Sequence, residues 1–468
     1  MTGRKHNETL LKRVLFTAVP LLLLLFFFAR WALLTPPETP AALIAAALLT
    51  FLVALCGIRV IPAWRAAWSR QIWLPARPAE GKRSGRPARL HPTLKILLWL
   101  TLYRLALFAL VYAVVLHQDG YNGGIFDNLY LWNRVGSDSR HYLNIAENWY
   151  AVSGDDRLLL VFMPLYPIVV RAFHYIFDNY LISGLFVSHV CCVFAGYVFY
   201  ELALLDHDRD TAMRSLKYLC ILPASFLLSA PLSDSLFLLL SVSCVYMMRK
   251  DRYLLSGIYG GLAAFTRAPG ILLFAPVCFE LVGRVLRELP ENRQNTKWAW
   301  GVIGRVAAML LSPCGFLLYL GVNESVSGDP FMFLTYQREH WHQQMGWFFA
   351  SAATQADSAL TTFSDNREMV LGLWAPNLVY LFASLGLVTA AQNKLRASHV
   401  AYFILYYGVC MGATWLLSAP RYLTACYPLA LSLGVLTRKK WADTAATLLC
   451  TGLLLYYLYA FVNQWYVY

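Results

Sequence analysis

Apolar runs dominate the chain, and polar breaks between them are short. The runs cover roughly 14–34, 41–61, 95–117, 181–204, 215–230, 234–249, 253–267, 270–285, 299–321, 371–391, 399–417, 422–437 and 442–462. A helix needs about 20 apolar residues to cross a bilayer. The pattern therefore predicts an all-α polytopic membrane bundle of about thirteen transmembrane helices. The shortest runs are marginal, so two of them are candidates for broken or re-entrant segments. The first run is long and is followed at once by a second, so it reads as a retained span and not as a cleavable leader.

Two long polar stretches interrupt the pattern, at 118–180 and 322–370. Within the first, 162–179 is apolar but rich in prolines and aromatics, and is expected to stay on one side of the membrane. Just before it, Asp138, His141, Tyr142 and Ile145 fall at i, i+3, i+4 and i+7, one face of a helix. The spacing also suits a solvated helix whose aspartate caps the first turn. Ionisable groups beside membrane spans are costly, however, which favours a functional role.

Composition supports the membrane reading. Of 468 residues, 59% are hydrophobic and only 14% charged, against about a quarter charged in a typical soluble domain. The net charge of +13 invites a nucleic-acid reading, but its distribution is topological. With the N-terminus and the 63–94 linker inside and 162–179 kept outside, 28 of the 39 lysines and arginines lie in inner segments and 8 in outer ones. That is the positive-inside bias of a multi-pass protein. No nucleic-acid partner is expected.

Three parts follow: a two-span N-terminal hairpin (1–62), a basic cytoplasmic linker (63–94) broken by Pro75, Pro78, Gly81, Gly85 and Pro87, and a membrane body (95–468) carrying the two outer loops. The ten cysteines lie in or beside apolar runs, with no CxxC pair or Cys/His cluster, and read as small buried hydrophobes.

The same topology puts five polar motifs on one face. The first runs from Asp138 through Tyr142 to Ile145-Ala146, then Phe162-Met163-Pro164-Leu165-Tyr166-Pro167. The second is Ser229 to Phe237, where Ser233 suits a helix cap and Asp234 suits the positive end of the next helix. The third is Ala264 to Gly270, centred on Arg267. An arginine between apolar runs either pairs with an anion such as phosphate or snorkels to the interface. The fourth is Gly328-Asp329-Pro330-Phe331, an ordinary turn on its own, with Gln337, Trp341 and His342 downstream. The fifth is Ser418 to Tyr422, again an arginine, Arg421, next to a proline.

One chemistry uses all these parts: sugar transfer from a polyprenyl phosphate. It needs a base for the acceptor hydroxyl, cations for the leaving phosphate and an apolar groove for the lipid. Asp138 is the candidate base, with a pKa expected to be raised near the membrane surface. Arg267 and Arg421 are candidate phosphate-binding residues. His141, Tyr142, Tyr166, Asp234, Gln337, Trp341 and Tyr422 are candidate substrate-binding residues, the aromatic ones as stacking faces for a sugar.

Together the motifs resemble those of the PIG-V mannosyltransferases, a family within the GT-C class of integral-membrane glycosyltransferases. The resemblance spans roughly 95–462. Asp138 to Ala146 and Phe162 to Pro167 match the family's first-loop segment. Ser229 to Phe237 matches its second motif, with Asp234 in place of glutamate, and Ala264 to Gly270 matches its third. The GDP-F…Q…W and R-Y stretches match as well. The chain departs from the pattern at Ser137, where the family has tryptophan, at Trp149, where it tends to glycine, and in its N-terminal hairpin.

The resemblance implies a GT-C helical fold and inverting transfer of a hexose, mannose in the family. It also implies a polyprenyl- or dolichyl-phosphate-linked donor, a glycolipid or glycan acceptor, and Asp138 as base. The active site is expected on the outer face, of the plasma membrane in a bacterium or the endoplasmic reticulum in a eukaryote. No cofactor is firmly implied. A divalent metal shared by Asp138 and Asp234 is weakly supported, since the first loop has no DxD pair. The alternatives are a transporter or flippase of a lipid-linked or anionic substrate, and a scaffold whose outer loops bind a partner. The first predicts internal repeats and mid-membrane broken helices; the second leaves the arginines at the membrane edge unexplained.

Overall fold

The computed structural model describes residues 2–68, 92–117, 124, 126–133 and 137–467, with side chains outside 2–16, 65–68, 92 and 128. Most of the expected basic linker lies outside the described residues. What is described is helical throughout apart from one isolated antiparallel bridge, Met345 to Ala413. The helices are α1 (Thr2–Leu34), α2 (Pro40–Trp68), α3 (Pro92–Val115), α4 (Asp138–Asn148), α5 (Leu165–Phe177), α6 (Tyr180–Leu204), α7 (Arg209–Ile221) and α8 (Asp234–Arg249). There follow α9 (Tyr253–Thr266), α10 (Phe274–Asn292), α11 (Thr296–Met309), α12 (Leu311–Ser327), α13 (Met332–His340) and α14 (Phe348–Thr361). A short α15 (Arg367–Met369) runs through a π-helical turn into α16 (Ala375–Ala391), and α17 (Ala397–Met411), α18 (Ala419–Thr424), α19 (Pro428–Leu436) and α20 (Lys440–Val462) complete the chain.

Among the described residues, eight helical stretches are long and apolar enough to cross a membrane: 17–34, 40–64, 93–115, 180–204, 268–292, 296–327, 367–394 and 440–462. The five remaining runs of the expected thirteen form shorter or broken elements. The 215–230 run ends as a helix at Leu222-Pro223, because proline cannot continue it. Tyr427-Pro428 divides the 422–437 run into α18 and α19. Helices α8, α9 and α17 have 16, 14 and 15 residues. The 162–179 stretch, which is not among the thirteen, follows a sharp bend: Asp155–Val161 and Leu165–Phe177 meet at 110°.

Short helices can sit inside such a bundle because neighbours cover them. Helix α8 is buried along nearly its whole length, between α6 and α9. Helix α9 meets α11 and α12 backbone to backbone. A β-carbon at Gly315 would overlap the Gly261 carbonyl, and one at Gly257 would overlap the Ala308 carbonyl. Small residues are what let helices approach so closely in a membrane. The N-terminal hairpin also joins the body: α2 packs along α14 and α16, with Ala42, Ala46, Phe349 and Ala353 at the seam. Trp31 and Phe28 lie against Phe349, and Phe27 stacks on Trp347 at 4.9 Å.

Each end of α8 carries a buried charge cluster. At its C-terminal end Arg249 binds Asp206 through two hydrogen bonds of 2.6 and 2.7 Å. Asp206 also faces Arg396 at 3.6 Å and His399 at 3.5 Å, and Arg396 forks onto Glu280, which accepts from Ser398 at 2.6 Å. This cluster ties α6, α8, α10 and α17 together. Removing one member of a buried ion network strands the others, at about 3–5 kcal/mol. Asp206→Ala is accordingly expected to lose stability on that scale in thermal or denaturant unfolding of the purified protein. A loss below about 1 kcal/mol, the scale of an exposed pair, would show the cluster to be peripheral.

Candidate active site

The other end of α8 holds the cluster that unites the motifs. Helix α4 begins at Asp138, and Ser137 caps it, its Oγ accepting from the Ser139 N–H. A carboxylate there is favoured by the unpaired N–H groups and dipole of the first turn. The predicted face points inward: Ile145 and Tyr142 are buried and His141 half-buried. The far end of α4 is fixed by Arg171 on α5, which donates to the Ala146 and Glu147 carbonyls at 2.5 and 2.9 Å. Trp149 ends the helix at φ +66°, a left-handed conformation that suits glycine. That explains a glycine preference here; in this chain the indole sits under the Arg171 guanidinium, 5.9 Å away.

Four charged groups from four distant segments then form one chain. Asp138 Oδ2 accepts from Arg421 Nη1 at 2.6 Å, and Arg421 Nε donates to Asp234 Oδ2 at 2.9 Å. The other oxygen of Asp234 accepts from Arg267 Nη1. Exposure is greatest at Asp138 and least at Asp234: the Asp138 side chain is 32% exposed, Arg421 4%, Asp234 0% and Arg267 10%. Two carboxylates neutralise two guanidiniums, which is what allows Arg421 and Asp234 to be buried between the other two. The Tyr422 ring lies 5.0 Å from the Arg267 guanidinium and 5.7 Å from that of Arg421, adding cation–π contact.

Several expectations change in detail. Ser233 does not cap α8; its Oγ shares a 2.8 Å hydrogen bond with the Tyr142 hydroxyl, tying α4 to α8. Arg267 does not snorkel, because its partner is Asp234. Tyr166 is fully buried and its hydroxyl is committed to the Gly184 carbonyl and Ser188 Oγ, so it packs the site's floor and has no face for a sugar. Gln337 donates to Gln343 at 2.9 Å, away from the charge chain, while Trp341 approaches by way of Phe162, which stacks on His141. Gly328 is a left-handed helix terminus and Asp329 a turn aspartate that accepts from the Phe331 N–H, the ordinary turn chemistry of the fourth motif. Gly270 serves the third: a β-carbon there would overlap the Ala263 backbone, where the chain folds back beside Arg267.

The ionisation of Asp138 also departs from expectation. Burial pushes its carboxyl up, but the charge and hydrogen bond of Arg421, helped by His141 and Arg267, outweigh this and hold it below the usual carboxylate range. Burial lowers His141 against the pull of Asp138, so its imidazole is neutral at neutral pH. Tyr142 is pushed up to about 12 by burial and stays a phenol.

Arg421 occupies the space between Asp138 and Asp234, and no group of three or more His, Cys, Asp or Glu side chains converges among the described residues.

Residues 96–322 match the model of a mannosyltransferase family, PIG-V. That is the family the motifs resemble. The PIG-V match takes in Asp138, Asp234 and Arg267 and ends before Gln337, Trp341, Arg421 and Tyr422, of which the fold alone brings Arg421 and Tyr422 into the charge chain. Curated proteins give no match. Among solved structures, the chain is similar to ArnT from Cupriavidus metallidurans bound to undecaprenyl phosphate, at 15% identity over 75% of this chain and 62% of that one, TM-score 0.45. It is also similar to the oligosaccharyltransferase AglB from Archaeoglobus fulgidus in complex with an inhibitory peptide and a dolichol-phosphate, at 14% identity over 80% of this chain and 56% of that one, TM-score 0.40. The chain spans less than two thirds of the length of either.

Two residues that the motifs did not single out support the site: Arg171 behind α4, and Asn377, which lies beneath α18. A polar side chain inside the apolar run of α16 was the available signal for Asn377.

Proposed function

We propose that the protein is an inverting glycosyltransferase that moves a hexose, mannose in the first instance, from a polyprenyl-phosphate carrier to an acceptor hydroxyl. The arrangement that carries this reading is the Asp138–Arg421–Asp234–Arg267 chain, with one carboxylate at the rim and two guanidiniums behind it. The PIG-V match over 96–322 supports the class, and the excess of lysine and arginine on the opposite face supports an outer site.

Asp138 accepts the acceptor's hydroxyl proton. The hydroxyl oxygen forms the new bond to the anomeric carbon on the side opposite the phosphate, and the carbon–phosphate-oxygen bond breaks with its electrons leaving on the polyprenyl phosphate. Arg421, and Arg267 behind it, stabilise the charge that develops on the leaving phosphate. Because Arg421 holds Asp138 acidic in the resting state, a donor phosphate that draws Arg421 toward itself frees the carboxylate. Losing an opposite charge at this distance raises a carboxyl by about 1–3 pKa units. Donor binding thereby turns a weak base into a competent one.

Purified protein in lipid, given polyprenyl-phosphate mannose and membrane extract as acceptor source, is expected to consume the donor and release polyprenyl phosphate. Tight donor binding with no release would overturn the reading in favour of transport.

A further inference from the structure

The chain reaches Arg421 through 412–418, and most partners of this segment come from elsewhere in the fold. The Gly346 N–H donates to the Gly412 carbonyl at 2.8 Å and the Thr414 N–H to the Gln344 carbonyl at 2.9 Å. Ser351 Oγ donates to the Ala413 carbonyl at 2.8 Å. Deeper, the Leu416 carbonyl accepts from both Gln355 Nε2 at 3.0 Å and Asn377 Nδ2 at 2.9 Å. Asn377 Nδ2 also donates to Gln355 Oε1 at 3.0 Å, and Asn377 Oδ1 accepts from the Ala419 N–H at 2.9 Å.

Asn377 therefore grips the turn on both sides, two residues before Arg421 and five before it. It satisfies an N–H at the start of α18 that no cap residue of α18 serves, since Ser418 makes no capping hydrogen bond. Asn377 and Gln355 are each 1% exposed. Buried amides with all partners in place fix one arrangement, because any other leaves a polar group unpaired. The Tyr406 hydroxyl holds the other side of Arg421 by donating to the Tyr422 carbonyl at 2.9 Å.

We propose that Asn377 and Gln355 are positioning residues that set Arg421 between Asp138 and Asp234 by fixing the backbone turn entering α18. That this placement serves sugar transfer rests on the function proposed above; the placement itself does not. A purely structural role would cost stability without altering the protonation of Asp138, 283 residues from Arg421 in the chain.

The test is an activity-independent titration. Full-length protein in lipid is labelled with a hydrophobic carbodiimide, which attacks protonated carboxyls, over an acidic-to-neutral pH series, and modified Asp138 is quantified by peptide mass spectrometry. Asn377→Leu is expected to raise the labelling midpoint by about 1–2 pH units, as Arg421 drifts from Asp138 while Arg267 and His141 stay. Gln355→Met should raise it less, because the Asn377 bonds to Leu416 and Ala419 remain. Ser384→Ala, a buried change on the same helix whose hydroxyl bonds the Tyr380 carbonyl one turn back, should leave it unmoved. If Asn377→Leu does not fold, Gln355→Met decides.

An unmoved midpoint in the folded variants overturns the proposal, even where the wild type turns over donor. A raised midpoint in a protein that consumes no donor upholds the positioning and removes the function. Where both hold, kcat/KM for donor should fall about 10–100-fold in Asn377→Leu, the scale of a misplaced reacting group.

Discussion

Asp138→Asn is expected to lower donor consumption by about 10²–10⁴-fold, the range of a lost general base, and to leave folding nearly intact. Asparagine keeps the shape and an oxygen for Arg421 Nη1, and the Asp138 side chain is 32% exposed at the rim. Water therefore softens the loss of its charge. Asparagine cannot take a proton from an acceptor hydroxyl. Asp234→Asn is the instructive contrast. That carboxylate is fully buried and bridges both guanidiniums, so losing its charge leaves Arg267 and Arg421 facing each other unscreened and should lower the melting temperature. Activity measured beside thermal unfolding separates the two carboxylates. Near-wild-type consumption by Asp138→Asn would remove it from the reaction; an equal thermal loss in both variants would make Asp138 a structural ion like Asp234.

The positions of these groups along the chain were legible because each stands out against an apolar background. A carboxylate at Asp138 and arginines at Arg267 and Arg421 are costly at the ends of spans, so their presence was itself a signal. Their mutual contacts were not legible. No local spacing links Asp138 to a guanidinium 283 residues away, and without that contact the membrane surface argues for a raised pKa where the pair imposes a lowered one. The role of Ser233 was misread for the same reason: a serine before a helix suits a cap, and only the approach of α4 gives it Tyr142 instead. The difference between thirteen expected runs and eight long apolar helices among the described residues has another cause. Hydropathy measures the length of an apolar run, but Pro223 and Pro428 cut two runs short, and α8, α9 and α17 are short helices that neighbours cover. Tyr166 looked like a sugar platform because nothing in the sequence tells a buried tyrosine from an exposed one.

Arg421→Gln should have the largest combined effect. It takes one of the two guanidiniums from buried Asp234, leaving Arg267 alone, and releases Asp138 from the contact that keeps it acidic. Breaking a buried pair in this way costs about 3–5 kcal/mol, and losing a donor aimed at developing charge costs about 10²–10³ in turnover. The two losses have different causes, so a second substitution can divide them. In Arg421→Lys a cation again stands beside Asp234, which keeps Arg267 on its other oxygen, and much of the stability should return. Turnover should not, because the guanidinium between the base and the leaving phosphate is still missing. Recovery of both together would mean that Arg421 matters only as ballast for Asp234. Recovery of stability alone would place the forked guanidinium in the reaction, and would make Arg421→Lys the better protein for trapping bound donor, since it stays folded with its proton acceptor in place and the guanidinium beside the phosphate removed.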